Sequence, residues 1–218
     1  MQIRIAMPGS ADWGQAMQLA QTKYKRSYEA EIEPSPDHFI VCFNETDDGV
    51  PDQPIACAGV TRADSRRLFS EAYLDEPVEK LVQRAEGRPV QRRDIIEVGS
   101  LASEGYQAGT ELVRILPILC WCLGRRYVLC TTTAHLRKMF QDAGMDFRSL
   151  QPARKERLEE ERQDRWGSYY EQSPVTGYFC LKQLTHVFTT NTGRYAFADM
   201  VINLQDMQPQ REVSYAVA

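Results

Sequence analysis

The stretch that most constrains this fold begins at Ile95 and reads IIEVGSLASEGYQAGTELVRIL. An apolar, β-branched run reads as a strand over about 94–101, a glycine-bearing loop follows, and a helix is expected from about Ala108 to Gly124. One carboxylate, Glu97, stands inside the apolar run. A carboxylate there costs free energy unless it is paired or lies at the end of a sheet. Two readings are open. Glu97 forms an ion pair with Arg92, Arg93 or Arg126, or it is a base whose pKa burial has raised, able to take a proton from an attacking amine or its water. The loop after it, Ser103 to Gly109, is equally two-sided. Glycines let main-chain amides approach an anion, and a helix N-terminus offers unpaired N–H groups and a positive dipole end. Such a junction can cradle a pyrophosphate or a phosphopantetheine arm, yet glycines also serve turn geometry alone.

The surrounding pattern gives the architecture. Residues 2–7 alternate as a strand, and Gly9 to Asp12 can cap a helix running to about Ala30. Strands at 38–45 and 55–63 flank a turn-rich 46–54 and form a hairpin. Residues 67–84 read as mostly helical, broken or restarted at Pro77. The helix after the strand at 94–101 is expected to bend near Pro117; RYVLCTTT is a strand, and Thr133 caps a short helix ending at Gly144. The charged run 153–165 reads as a solvated helix laced with ion pairs, and WGSYYEQSPVTGYFCLKQL supplies a turn and a last strand. The order β-α-β-β-α-β-α-β-α-(α)-β implies an α/β mixed sheet with helices on both faces. At 218 residues the chain holds a domain over 1–184 and a C-terminal extension over 185–218, for which a terminal hairpin, an oligomer contact or a loose tail are all open.

Composition excludes several classes. A net charge of −4 argues against a general nucleic-acid binder. The longest apolar run, ILPILCWCL, is about half the length of a membrane span. The N-terminus reads as a strand and not a signal peptide, which points to the cytoplasm. Six cysteines contain no C-x-x-C pair, so neither a structural zinc nor any other metal is expected. His38, His135 and His186 have no nucleophile elbow beside them, which disfavours a Ser-His-Asp hydrolase.

Two further clusters carry candidate chemistry. On one helix Glu71 and Asp75 would share a face, with Phe69 and Tyr73 beside them, and two acids there would hold an amino group or a sulfonium. Equally, they form a solvated acidic face offset by Arg67. Trp166, Tyr169 and Tyr170 are a pocket wall or a turn packed on the core, and a tyrosine of this group could protonate a departing thiolate.

Taken together, RLFSEAYLDEPVE, IIEVGSLAS and RWGSYYEQSPVTGYF resemble the blocks of the thermostable haemolysin family, and KYKRSYEAEIEPSPDHF resembles its N-terminal block. The likeness covers roughly residues 15–178. That family is similar to the GCN5-related N-acetyltransferase (GNAT) fold and to acyl-homoserine lactone synthases. The resemblance implies a sheet splayed between its fourth and fifth strands, with an acyl thioester in the notch. It implies contacts to that thioester from Val98, Gly99, Leu101, Gly105, Gln107, Ala108, Gly109 and Thr110, and an acceptor site with Glu71, Tyr73, Asp75, Ser100 and Trp166. It casts Glu97 as base and Tyr169 or Tyr170 as acid. YQAGTEL follows the fold's usual phosphate-loop pattern only loosely, and Ser100 and Ser70 also depart from the family blocks. The implied activity is transfer of an acyl group from acyl-CoA or an acyl-carrier protein to the amine of a small acceptor, with no tightly bound cofactor and a homodimer as one possible assembly. The alternatives are a thioester-binding protein without catalysis and a membrane-active protein. The segment best placed for the latter, 111–123, reads as core.

Overall fold

The structure, a computed structural model, describes residues 1–44, 53–191 and 193. Strand β1 (Gln2–Ala6) leads to Ser10, whose hydroxyl accepts from the Trp13 N–H and so opens helix α1 (Ala11–Tyr28). Glu29 stops that helix by turning left-handed, at φ 59°. β2 (His38–Phe43) and β3 (Pro54–Arg62) pair antiparallel, as the hairpin reading expects; the turn at 46–54 lies almost wholly outside the described residues. Helix α2 (Val78–Glu86) precedes β4 (Ile95–Ser103) and α3 (Tyr106–Cys122). β5 (Tyr127–Thr132), α4 (Ala134–Asp142), β6 (Arg148–Pro152), α5 (Glu160–Gln163), β7 (Val175–Cys180) and α6 (Thr185–Asn191) follow.

These strands form one sheet in the order β1-β2-β3-β4-β5-β7-β6. Every neighbouring pair is antiparallel except β4 and β5, which run parallel. Their register holds only at Ile95–Tyr127, Ile96–Val128 and Glu97–Leu129. Beyond Glu97, β4 stays with β3 as far as Ser103, while β5 stays with β7 as far as Thr132. The sheet therefore opens between its fourth and fifth strands, as the resemblance implies. A bulge contributes: Gly59 and Cys57 of β3 oppose Gly99 and Ala102 of β4, so β4 carries one extra residue there. Ser100 sits in it at φ 49°, a conformation a non-glycine residue rarely adopts. Bulges bend a strand and sharpen its twist, which turns β4 away from β5.

The two faces have separate cores. Helices α3 and α4 cover one face, where Leu112, Val113, Ile115, Leu116 and Cys120 pack on Ile40, Ala58, Ile96 and Val128. The reading of 111–123 as core thus holds as far as Cys120, while Trp121 and Leu123 at the helix end are exposed. Val187 of α6 joins the same cluster, so packing continues past residue 184. Helix α1 covers the other face through Ala16, Leu19 and Ala20 against Phe39, Val41 and Phe43. No helix among the described residues is long and apolar enough to cross a membrane.

Three expectations need correction. The restart at Pro77 is present, but the part of 67–84 before it is not α-helix. A 3-10 turn (Phe69–Tyr73) ends at an extended Leu74, and α2 restarts after Pro77. Pro77 lacks an N–H and disfavours a helical residue before it. The Glu71 carboxylate then seals the break by accepting from the Leu68 N–H at 2.8 Å and the Val78 N–H at 3.4 Å. The charged run 153–165 is likewise no continuous helix, but two 3-10 turns around the four-residue α5. Its Leu158 is buried with Tyr73, and Arg157 donates to the Leu74 carbonyl and Asp75, which ties the run to the neighbouring loop. Strand β6 was not anticipated. As a half-exposed edge strand paired only with β7, it carries little apolar alternation to read.

Gly167 locks the segment after α5 to the end of α1. It lies at φ 45°, and a Cβ there would collide with the Tyr28 carbonyl oxygen, which already accepts from the Ser168 N–H. Gly167→Ala is expected to destabilise the fold by roughly 2–4 kcal/mol. Gly14→Ala, at the end of the first turn of α1 with nothing within 4 Å, should instead stabilise by about 0.5 kcal/mol. Urea unfolding midpoints of the two variants check both signs.

Candidate functional site

Alternation along β4 sends Ile96 and Val98 to the α3 face and Glu97 to the other. Glu97 is 7% exposed, and its carboxylate meets no arginine among the described residues. Arg92 forks onto Glu71 at 2.7 and 2.9 Å and also reaches Glu79, and Arg126 pairs with Asp94. The ion-pair reading of Glu97 is thereby excluded. Instead Glu97 Oε2 accepts from the Phe69 N–H at 2.9 Å and Oε1 from the Ser70 N–H at 2.7 Å. These are the opening amides of the 3-10 turn, so a strand residue caps a turn that lies 27 positions upstream. Hydrogen bonds to a charged acceptor are worth about 1.5–3 kcal/mol each. They offset part of the several kcal/mol that burying a carboxylate costs. Burial is the larger influence. It raises the Glu97 pKa above the ordinary value of 4.5, against the opposing pull of the Ser70 hydroxyl and the two amides.

A row of hydroxyls crosses the notch beside it. Ser70 Oγ lies 2.8 Å from Thr131 Oγ1, which lies 2.7 Å from Thr176 Oγ1. Thr131 and Thr176 are register partners on β5 and β7, a pairing that no local sequence pattern announces. Tyr169 closes this end. It is 6% exposed, stacks on Tyr24 at 6.1 Å, meets Tyr28 edge-on at 5.3 Å, and holds only a long 3.5 Å bond to the Thr131 carbonyl. Burial pushes its pKa well above 10.

Two cavities meet at the opening. On the α3 side a 470 Å³ cavity enters past Lys23, Ser27, Gly105 and His135 and ends among Val113, Leu116, Phe140, Met145 and Phe179. On the other side a 670 Å³ cavity is walled by Glu97, Phe69, Tyr73, Trp166 and several arginines. Tyr24, Val98, Gly99, Ser100, Thr131 and Tyr169 line both. The splay is thus a passage from one face of the sheet to the other, with Glu97 at its edge.

Of the residues expected around a thioester, Val98, Gly99, Leu101, Gly105 and Gly109 line the first cavity. Gln107, Ala108 and Thr110 are not on its wall, and the Thr110 hydroxyl donates back to the Tyr106 carbonyl. The turn from β4 to α3 is short, Glu104–Gly105 only. Of the residues expected around an acceptor, Tyr73, Ser100 and Trp166 line the second cavity. Glu71 and Asp75 do not, which corrects the expectation of an acidic pair for an amine. The Glu71 carboxylate faces Arg92; burial alone would raise its pKa, but Arg92 and the Leu68 and Val78 amides hold it below the ordinary value. Asp75 is taken by Arg157 at 2.6 Å and Gln151 at 2.8 Å. Tyr170 lines neither cavity; its hydroxyl lies 2.6 Å from that of Tyr73, and burial pushes its pKa up to about 12. Thr131 and the deep apolar wall were missed, and Ser70 was marked only as a departure from the family block. Each depends on segments remote in sequence, and only the departure at Ser70 offered a signal.

The sequence profile of the thermostable hemolysin family matches residues 6–184. None of the curated proteins matches this chain by sequence. Among solved structures, TofI in an apo form is similar at a TM-score of 0.55 and 13% identity, over 86% of this chain and 96% of that one. The acyl-homoserine lactone (AHL) synthase LasI is similar at 0.55 and 13%, over 92% and 98%. FeeM, an N-acyl amino acid synthase from uncultured soil microbes, gives 0.55 and 12%, over 84% and 97%. At these identities the likeness speaks for the fold, which is the GNAT-like mixed sheet with splayed central strands. By its sequence, over most of its length, the chain belongs to the thermostable hemolysin family.

Proposed function

We propose that the protein is an N-acyltransferase that moves an acyl group from a thioester to the amine of a small acceptor. The observation that carries this is the meeting of two cavities across the β4–β5 opening, with a buried, raised-pKa carboxylate at the junction. The thioester enters from the α3 face and the acceptor from the other. Beyond Glu97, β4 has no β5 partner, so its main chain is free to align a pantetheine arm and polarise the carbonyl. The amine nitrogen attacks that carbonyl, the C–N bond forms and the C–S bond breaks. One amine proton passes to Glu97, directly or through water, and is handed on through water to the leaving thiolate, which restores the carboxylate and releases a thiol. Tyr169, which lines both cavities, is the better placed of the two tyrosines for the sulfur. With a pKa well above that of a thiol, about 8.5, it acts by donating a hydrogen bond to the leaving group. Much of the rate comes from holding the two reactants together.

The donor side favours a longer acyl chain over acetyl. Past the notch the first cavity continues into the core among side chains with no polar group to offer, and its volume is that of a small-molecule site. The donor is acyl-CoA or the phosphopantetheine thioester of a carrier protein. This reading places the protein in the cytoplasm, where such thioesters are made.

Thiol release across a panel of acyl thioesters and small amines tests the reading. Turnover by the wild type with a loss of about 10²- to 10⁴-fold in Glu97→Gln is the expected result. No release from any pair, together with no binding of any thioester in calorimetry, ends the proposal. The base must be deprotonated to work, so kcat/KM is expected to fall as pH is lowered, with its limb above 4.5 and absent from Glu97→Gln. The same raised pKa makes Glu97 a stability term that is present at low pH and lost as pH rises through its folded value. A third outcome concerns chain length: Val113→Phe fills the deep end of the first cavity. It should cut the kcat/KM ratio of dodecanoyl to butyryl donors by about tenfold or more.

A further inference from the structure

We infer that the acceptor is an α-amino acid with an uncharged, apolar side chain, and that Arg67 receives its carboxylate. The inference rests on the acyltransferase reading and follows from charge accounting in the second cavity. Of the five arginines lining it, four are matched by a carboxylate. Arg66 meets Asp37 at 2.6 Å, Arg157 meets Asp75 at 2.6 Å, Arg165 meets Glu33 at 2.7 Å, and Arg162 meets Glu159 at 3.4 Å. Arg67 is the exception among the described residues. Its guanidinium makes one long bond, 3.4 Å to the main-chain oxygen of Glu71, whose carboxylate is committed to Arg92. A guanidinium presents a planar fork of donors that fits a carboxylate. The cavity acids are spent in the same way: Glu31 on Lys25 at 2.8 Å, and Glu33 and Glu159 on their arginines. Apart from Glu97, no acid among the described lining residues remains to hold a second cation, which disfavours a sulfonium or guanidino acceptor.

The cavity wall supplies the rest of the selectivity. Phe69 is 38% exposed, so its ring is open to the cavity. It lies tilted on Trp166 at 5.4 Å and edge-on to Tyr73 at 5.8 Å. Arg67 stands two residues before Phe69, on the turn whose amides hold Glu97. One short segment therefore offers a cation, an aromatic surface and, through those amides, the base. An amino acid presents the matching carboxylate, apolar side chain and amine.

The test compares leucine with leucinamide as acceptors of a dodecanoyl thioester, followed by thiol release. The amide carries the more easily deprotonated amine, so intrinsic reactivity runs against the expected result. Wild type is expected to prefer leucine by about ten- to a hundredfold in kcat/KM. Arg67→Ala should bring the ratio near one, and Arg67→Lys should lie between. Arg84→Ala, on the exposed Arg84–Glu76 pair, should keep the wild-type ratio. Calorimetry of N-dodecanoyl-leucine against N-dodecanoyl-leucinamide reads the same preference without needing turnover. Equal use or equal binding of acid and amide by the wild type, or an unchanged ratio in Arg67→Ala, overturns the inference. Thiol release with leucinamide as fast as with leucine does so while leaving acyl transfer standing. Absence of thiol release from every pair, with no thioester bound, removes both.

Discussion

The ladder between β4 and β5 stops after three residue pairs, and the rest of the site depends on that interruption. Were the ladder to continue, Val98–Ser100 would face Cys130–Thr132 directly and the two cavities would be sealed from one another. The extra residue of the bulge and the left-handed Ser100 turn β4 aside just where pairing would resume. Each strand keeps its outer partner, so the main chain stays satisfied on one side and is available on the other. A sheet opened this way is stable because only one of its seams is lost.

Glu97 stands at the last paired position, where its burial has two consequences. Its carboxylate caps the Phe69–Tyr73 turn, fixing the wall of the second cavity to the central sheet. Burial for that purpose also raises its pKa above the ordinary value, the direction that the proposed base requires. Glu71 shows the contrast. It too caps main-chain amides, but Arg92 neutralises it, and its pKa moves the other way. Two glutamates on neighbouring segments thus take opposite electrostatic characters, because one has a guanidinium partner and the other has only dipoles.

The aromatic group after α5 explains how a run of charges ends in a rigid wall. Gly167 allows the chain to turn against the Tyr28 carbonyl, and Ser168 then bonds to it. That places Trp166 on Phe69 and Tyr169 against Tyr24 and Tyr28. Helix α1, the turn before α2 and this segment meet around the notch, though they lie far apart along the chain.

Much of this was legible in the residues themselves. Period and punctuation placed α1, the β2–β3 hairpin, β4, α3, β5 and β7, because each is set by local alternation, caps and glycines. The lone acid at 97 in an apolar strand marked the site, since such a position demands an explanation wherever it occurs. What the chain could not reveal locally was the partner of that acid. Arg92, Arg93 and Arg126 were as near in sequence as any candidate, yet the bonds come from amides at 69 and 70. The shared face assigned to Glu71 and Asp75 failed for the same reason, because Pro77 and long-range capping overrode helical period. The apolar cavity, the hydroxyl row through Thr131 and Thr176, and the unmatched charge of Arg67 arise only when strands and turns from distant parts of the chain are brought together. Sequence determined the elements through short-range sterics and hydrogen bonding; tertiary packing decided which polar groups became partners, and so left Glu97 bonded to amides with no cation beside it among the described residues.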